Sequence, residues 1–322
     1  MTNALNRRQL LALGSAALAS PLLTACDDSS DNGPGNLIDV ARGQAQFSTL
    51  VAAVEAAGLT STLQGTGPFT LFAPTNDAFA ALLTELGTTQ EALLADTELL
   101  TAVLQYHVLG AKVPSADVTP GVPITPLAGG YFKIDSVDAG LVITDGRNRT
   151  AQITQTNVAA SNGVIHVIDH VLLPADLTVV GTAQAANSAT PPEFTILVQA
   201  IQAAGLVEAL SATGPFTVFA PTDAAFASLL TELGVTADEL LANTALLTTV
   251  LTYHVVPALV LKAQVPVGQA ITTLQGGSFT VDASLSITDA AGRTAAIVQT
   301  DVLASNGVIH VIDHVLLPGG LG

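Results

Sequence analysis

The sequence predicts an α+β protein that contains two copies of one domain. The first observation is a repeat: residues 161–174 read SNGVIHVIDHVLLP, and the same letters return at residues 305–318, which indicates one structural unit used twice. The second is that in each copy apolar residues recur at helical spacing upstream of this block and in β-branched runs nearer to it. Helices followed by strands are typical of the α+β class.

Residues 1–25 have the pattern of an export signal. Arg7 and Arg8 precede an apolar stretch, residues 10–23, that is too short and too rich in Ala, Gly and Ser to be a lasting membrane span. The twin arginine partly resembles the Tat export motif but lacks the usual preceding Ser or Thr, so the Tat and Sec routes both remain open. The letters LTAC, ending at Cys26, resemble a bacterial lipobox and imply lipidation of this cysteine. The alternative is a secreted protein with an incidental Cys.

Residues 26–35 are predicted to be a lipidated cysteine followed by a flexible tether, because residues 27–35 contain no apolar side chain. An EF-hand calcium loop starting at Asp28 is disfavoured, since Asp39 rather than Glu stands at its last ligand position and no helix precedes it.

The remainder is long enough for two domains that each bury a core, at residues 36–175 and 176–318. The short junction at Ala175-Asp176 predicts a semi-rigid relation between them. A chain with one cysteine forms no internal disulfide, so packing alone has to stabilise each domain.

The charge of the chain excludes some partners. The net charge is −17, and loss of Arg7 and Arg8 with the leader leaves 7 basic against 26 acidic side chains, hence −19. This charge argues against binding to nucleic acid or to anionic lipid headgroups.

Within the first copy, Phe47, Leu50 and Val54 recur at helical spacing, and Gly58 is the expected helix stop. A buried strand should follow at residues 69–72, and then a helix that ends near Gly87. Two shorter helices are predicted at about 88–95 and 97–107, and strands at 131–135, 141–144, 151–158 and 164–173. The last strand should be central, start after the Asn162-Gly163 turn and end at Pro174, as its copy should at Pro318.

Two further blocks recur at a spacing of 147. GPFTLFAPTNDAF at 67–79 matches GPFTVFAPTDAAF at 214–226, and Tyr106-His107-Val108 matches Tyr253-His254-Val255. In this order and at these distances, the three blocks resemble those of the fasciclin-type (FAS1) domain. The resemblance implies a compact β-sandwich or wedge with helices packed on it, and a role in cell adhesion or the extracellular matrix.

We interpret the motif residues as structural, and the resemblance makes His166 and Asp169 regular features of their block. The motif residues are Thr75, Asp77, Tyr106, His107, His166 and Asp169 in the first copy, and Thr222, Asp223, Tyr253, His254, His310 and Asp313 in the second.

The histidines are the first candidates for chemistry. On a strand, His166 and His170 would share a face and Asp169 would point to the other. A metal site would need His107 to converge with both. A structural use is favoured, because two imidazoles without a third ligand are a weak metal signal. We therefore expect no metal and no cofactor.

Thr75 with Asp77, and Thr222 with Asp223, are candidates for acid–base work. A helix N-terminus explains them better, because hydroxyl and carboxylate groups satisfy its unpaired backbone donors. Neither a Gly-x-Ser-x-Gly elbow nor a phosphate-binding glycine loop is present. The sequence predicts a protein that is not an enzyme.

The leading hypothesis is a monomeric, membrane-anchored envelope or cell-surface protein that binds an extracellular or envelope protein or glycan. One alternative is a ligand-binding or metal-dependent envelope protein that uses the His107, His166 and His170 region. Another is a binder of small apolar ligands in a cleft between the sandwich and the helices.

Overall fold

The computed structural model describes residues 33–138, 140–188 and 191–320. From Pro34 onwards the chain forms one compact unit that holds both copies. The leader, Cys26 and most of the tether lie outside the described residues. Within them, no helix has the length and apolar character needed to cross a membrane.

Helices form the first half of each copy, and their ends follow the sequence signals. Asn36 caps the first helix by accepting the N–H groups of Ile38 at 3.0 Å and Asp39 at 3.1 Å. Gly87, at φ +60°, ends the fourth helix in the left-handed conformation that glycine favours. In the first copy the helices are α1 (Leu37–Arg42), α2 (Ser48–Ala56), α3 (Thr60–Gln64), α4 (Asn76–Leu86), α5 (Gln90–Ala95) and α6 (Thr97–Tyr106).

The second copy repeats this helical half. Gly234, at φ +65°, ends the helix that matches α4. The helices are α7 (Val179–Ala186), α8 (Thr195–Ala203), α9 (Val207–Ser211), α10 (Asp223–Leu233), α11 (Ala237–Ala242) and α12 (Thr244–Tyr253). Short 3-10 turns lie at Ala45–Phe47, Ser115–Asp117 and Lys262–Gln264.

Each copy contains a seven-stranded sheet. In the first, the strands are β1 (Phe69–Pro74), β2 (Val108–Leu109), β3 (Pro123–Ile124), β4 (Phe132–Val137), β5 (Gly140–Thr144), β6 (Thr150–Ala160) and β7 (Gly163–Ile168). Their order is β2-β1-β7-β6-β5-β4-β3, with β1 parallel to β7 and the other pairs antiparallel.

The second sheet has the same arrangement, with β14 parallel to β8. Its strands are β8 (Phe216–Pro221), β9 (Val255–Val256), β10 (Ala270–Thr272), β11 (Ser278–Val281), β12 (Ser286–Thr288), β13 (Thr294–Ala304) and β14 (Gly307–Ile312). Their order is β10-β11-β12-β13-β14-β8-β9.

The repeated block supplies a central, fully buried strand in both copies, as predicted. The prediction that proline ends it is wrong, because β7 ends at Ile168, well before Pro174. Beyond Ile168, side chains replace a neighbouring strand as hydrogen-bond partners. His107 Nε2 accepts the N–H of Leu172 at 2.9 Å, and the Asp145 carboxylate accepts that of the next residue.

An irregular β6 divides the sheet into two parts. The pairing of β6 with β7 shifts register between Ile153 and Gln155 and again before Val158, and such bulges bend a strand. The two parts enclose an aromatic core in which the Phe72 and Phe132 rings meet edge to face at 5.4 Å. The helices cover a second core on the other side of β1 and β7. The α+β class is confirmed.

Candidate functional site

The threonines of the first motif block cap helices. Thr75 Oγ1 accepts the N–H of Ala78 at 3.3 Å at the start of α4, and Thr222 Oγ1 accepts that of Ala225 at 3.2 Å at the start of α10. Each hydroxyl is therefore occupied by its own helix terminus.

The two motif aspartates stand at positions that do not match between the copies. Asp77 is exposed in the first turn of α4, where its charge favours the helix dipole. Asp223 matches Asn76, and its carboxylate accepts the N–H groups of Thr195 at 3.0 Å and Ile196 at 2.8 Å. It caps the start of α8, a helix that lacks a side-chain cap of its own.

The motif tyrosines hold the first residues of the β4 and β11 hairpins. Tyr106 is fully buried, and its hydroxyl donates to the carbonyl of Tyr131 at 2.7 Å. Tyr253 donates in the same way to Ser278 at 2.7 Å. Burial raises the pKa of both phenols, so each acts as a hydrogen-bonding group and not as an acid at neutral pH.

His107 and His254 are buried and neutral. His107 Nδ1 lies 2.7 Å from the Val103 carbonyl and donates to it, while Nε2 accepts the N–H of Leu172. His254 has the same two partners in its copy, Val250 and Leu316. Burial lowers the pKa of each imidazole to about 4. Both ring nitrogens are therefore engaged with the backbone.

His166 and His310 tie the central strand to the segment that follows β2 or β9. His166 Nε2 donates to the Val113 carbonyl at 2.9 Å, and His310 Nε2 to that of Val260 at 2.8 Å. Their Nδ1 atoms face the N–H groups of Asn157 and Asp301 at 3.4 and 3.3 Å. Burial lowers the pKa of both rings.

His107, His166 and His170 do not form a common site. His170 is exposed and sits beyond the end of β7, so it shares no strand face with His166, contrary to the expectation. Its Nδ1 contacts Asp169 Oδ1 at 2.8 Å, as His314 contacts Asp313. Among the described residues, no group of three or more His, Cys, Asp or Glu side chains lies close enough to hold a metal ion.

Asp169 and Asp313 serve mainly as backbone acceptors. The Asp169 carboxylate accepts the N–H of Gln152 at 2.7 Å, and that of Asp313 accepts the N–H of Ala296 at 2.7 Å. Each fixes the chain just after the central strand to β6 or β13.

Sequence reasoning missed two further structural residues. Asn162 accepts the N–H of Leu37 at 2.9 Å and donates to the carbonyls of Leu63 and Gly65. Asp145, 1% exposed, accepts four N–H groups of its own loop and of Leu173. The signal for Asn162 was present, because it lies in the identical block, but its letters with glycine indicated only a turn.

A repeated apolar cleft was also missed. In each copy it lies between the helices α4, α5 and α6 or α10, α11 and α12. Leu86 and Leu233 stand at its rims, 40% and 48% exposed. Eight residues that line the first cleft have a counterpart in the lining of the second. In the first cleft they are Phe79, Leu82, Leu86, Leu93, Leu99, Leu100, Val103 and Leu173. Their counterparts, in the same order, are Phe226, Leu229, Leu233, Leu240, Leu246, Leu247, Val250 and Leu317.

The two clefts differ at one charged position. Arg147 lines the first cleft and pairs with Asp176 at 2.9 Å. Its counterpart Ala291 does not line the second cleft, whose lining is entirely apolar. The cavity volume is about 90 Å³ in the second copy and about 50 Å³ in the first.

The family model of the fasciclin domain matches residues 45–174 and residues 192–318. The chain belongs to the fasciclin family. Within this family, it is 45% identical over 139 residues to Protein sll1483 of Synechocystis sp., a match that covers 43% of this chain and 73% of that protein.

The tandem arrangement also matches larger proteins. The chain is 30% identical over 259 residues to transforming growth factor-beta-induced protein ig-h3 of Oryctolagus cuniculus, which covers 80% of this chain but only 35% of ig-h3. Among solved structures, a FAS1 domain pair from the insect cell adhesion molecule Fasciclin I aligns at a TM-score of 0.41 and 20% identity, covering 84% of this chain and 95% of that one.

Proposed function

We propose that this chain is a non-enzymatic, membrane-anchored envelope or cell-surface protein that binds an extracellular or envelope partner through its two FAS1 domains. In this proposal, residues 1–25 direct export and the lipidated Cys26 anchors the chain in a membrane. The protein is a monomer. The adhesion and matrix roles that the family resemblance implies agree with this function.

One observation carries the non-enzymatic part of the proposal. The motif histidines that are buried, and the motif tyrosines, are bonded to backbone groups of their own domain. A general acid or base needs a titratable group within reach of substrate. Instead, these groups position the central strand and the hairpins.

The repeated apolar clefts are the candidate contact surface. Single exposed apolar residues are common on proteins, but Leu86 and Leu233 lie at equivalent positions beside equivalent clefts. An apolar lining stabilises a partner by removing apolar area from water and offers few hydrogen bonds to a sugar. The clefts therefore favour apolar side chains of a protein partner over a glycan.

Two weak sites in one chain gain from avidity. When both clefts engage one surface, the second contact forms at a high effective concentration, and apparent affinity rises by about 100-fold over either cleft alone. The −19 charge of the mature chain contributes little at high salt, because exposed charges are then screened.

The test is capture of envelope proteins by the purified chain that starts at residue 27. Leu86→Gln and Leu233→Gln should each weaken capture, and the double variant should abolish it. Leu127→Gln and Leu274→Gln are the matched controls, because both leucines are 45% exposed at equivalent positions outside the cleft lining. Equal capture by the cleft variants and the controls would contradict the proposal.

A second candidate function is binding of a small apolar molecule in the second cleft. The observation that favours it is the exchange of Arg147 for Ala291, together with the fully apolar lining. Organic extraction and mass spectrometry of the purified protein should then recover an apolar compound that Leu229→Gln eliminates. Stoichiometric zinc or copper in the same preparation would instead support the metal-dependent alternative.

A further inference from the structure

The two domains meet through polar contacts made by a few specific side chains. The hydroxyl of Tyr131 in the first domain lies 2.8 Å from the carbonyl of Ala304 in the second, and also contacts that of Gly307. It donates to one of the two at a time. The motif residue Tyr106 donates to the carbonyl of Tyr131 and so holds the backbone that carries the Tyr131 side chain.

A charged pair lies beside the tyrosine. Lys133 Nζ is 2.8 Å from Asp301 Oδ2 and 3.1 Å from Asp135 of its own domain. The side chains of Lys133 and Asp301 are 13% and 3% exposed. A charged pair so little exposed is costly to break, because either partner alone would be a desolvated charge.

Three further contacts lie at the junction. Asn148 Nδ2 donates to the carbonyl of Leu303 at 3.0 Å, and the N–H of Leu303 donates back to Asn148 Oδ1 at 2.6 Å. Leu261 and Leu303 are 0% and 1% exposed, with Tyr131 packed against them. At Gly121 an added Cβ would lie 2.9 Å from that of Ala263, so the backbones approach closely.

Seven of the side chains at this junction are absent from the equivalent position of the other copy, whereas Asp135, Gly121 and Ala263 recur there as Asp282, Gly268 and Ala116. We call Tyr131, Lys133 and Asn148 the donor face; their counterparts in the second domain are Ser278, Thr280 and Gly292. We call Leu259, Leu261, Asp301 and Leu303 the acceptor face; their counterparts in the first domain are Lys112, Pro114, Asn157 and Ala159.

In the first domain, the surface equivalent to the acceptor face has no carboxylate that could pair with a lysine. Asn157 uses its side chain within its own domain, with Oδ1 accepting the N–H of Ser115 at 2.9 Å and Nδ2 donating to its hydroxyl at 2.7 Å. In Asp301, Oδ1 accepts the N–H of Lys262 and Oδ2 remains for Lys133. The change from Asn to Asp thus creates the second acceptor.

We propose that these seven donor-face and acceptor-face residues specify a single head-to-tail contact, which holds the two domains as one rigid body and prevents the same contact from forming between chains. Both domains have the backbone shape of both faces. Only the donor face of the first domain and the acceptor face of the second carry side chains that bind each other. The two domains of one chain therefore cannot form the same contact with another chain, and the relative positions of their two clefts are fixed.

The first test replaces the donor face by its counterparts, as Tyr131→Ser, Lys133→Thr and Asn148→Gly in one chain. Backbone ¹⁵N relaxation of the chain from residue 27 should show both domains tumbling as one body before the change and faster, independent tumbling after it. Ser278→Ala with Thr280→Ala, on the free face, is the control and should leave tumbling unchanged. Independent tumbling of the unsubstituted domains would overturn the proposal.

The second test builds the contact between chains without opening the native one. One chain carries Ser278→Tyr, Thr280→Lys and Gly292→Asn; a ¹⁵N-labelled chain carries Lys112→Leu, Pro114→Leu, Asn157→Asp and Ala159→Leu. The two chains are mixed at about 1 mM, which is the order of the effective concentration that a short linker supplies. The labelled chain should then show chemical-shift changes confined to the new acceptor face. Absence of shifts between two folded chains, or equal shifts with unsubstituted chains, would overturn the proposal.

Discussion

Acidification should destabilise the folded protein through its buried histidines. Burial lowers the pKa of His107 and of His254 from 6.5 to about 4. The unfolded chain therefore takes up protons first, and the free energy of unfolding falls as the pH drops through 6.5 towards 4. Above pH 6.5 these two groups are neutral in both states and contribute no pH dependence. His166 and His310, whose pKa values burial also lowers, act in the same direction.

The magnitude follows from the size of the shift. One pKa unit corresponds to about 1.4 kcal/mol, so His107 and His254 should each cost about 2 kcal/mol of stability at pH 5 and about 3 kcal/mol at pH 4. Each domain therefore loses about 2 kcal/mol at pH 5 through this histidine, a substantial part of the roughly 5–15 kcal/mol that stabilises a typical domain.

Urea unfolding at about pH 7 and about pH 5 measures this loss. His254→Gln lowers stability at both pH values, but its loss on acidification should be smaller by about 2 kcal/mol. Leu274→Gln is the control, because Leu274 is 45% exposed and carries no titratable group, so this variant should lose as much stability on acidification as the unsubstituted chain. Equal stability at the two pH values, or an unchanged loss in His254→Gln, would refute the account of the buried imidazoles.

Three further predictions concern single positions. Cys26→Ala should move the mature protein out of the detergent phase, and unchanged partitioning in a two-phase extraction would contradict lipidation. His166→Ala and His310→Ala should each lower the free energy of unfolding by about 1–3 kcal/mol without altering metal content measured by mass spectrometry. Asp223→Ala should cost about 1–2 kcal/mol in thermal unfolding through loss of the α8 cap, whereas exposed Asp77→Ala should change little; equal effects would contradict the capping geometry.

Local signals in the sequence predicted most of the elements. Gly87 and Gly234 end helices because a left-handed residue is needed there, and the β-branched run after Asn162 forms the central strand. The end of that strand was not predictable from proline. It depends on His107 and Asp145, which are distant in sequence and take over the backbone N–H groups after Ile168.

The candidate site was less accessible from sequence, because it depends on side chains that are brought together by the fold. The periodicity of Leu86 and Leu233 marks them as ordinary helix residues, and only the packing of three short helices leaves them at the rim of a cleft. The role of Asp223 was likewise hidden, since its partners at Thr195 and Ile196 begin a different helix. The short linker predicted a semi-rigid pair but not the residues that form its interface.

Site-specific photo-crosslinking tests directly whether the second apolar cleft binds a partner protein. With Cys26 replaced, the chain has no cysteine, so Leu233→Cys and Leu274→Cys each carry a single crosslinker at sites that are 48% and 45% exposed. In the presence of envelope material, we expect a crosslinked partner protein from position 233 that excess unlabelled chain displaces, and none from position 274. Equal crosslinking from both positions, or none from position 233, would contradict a binding function located in the apolar cleft.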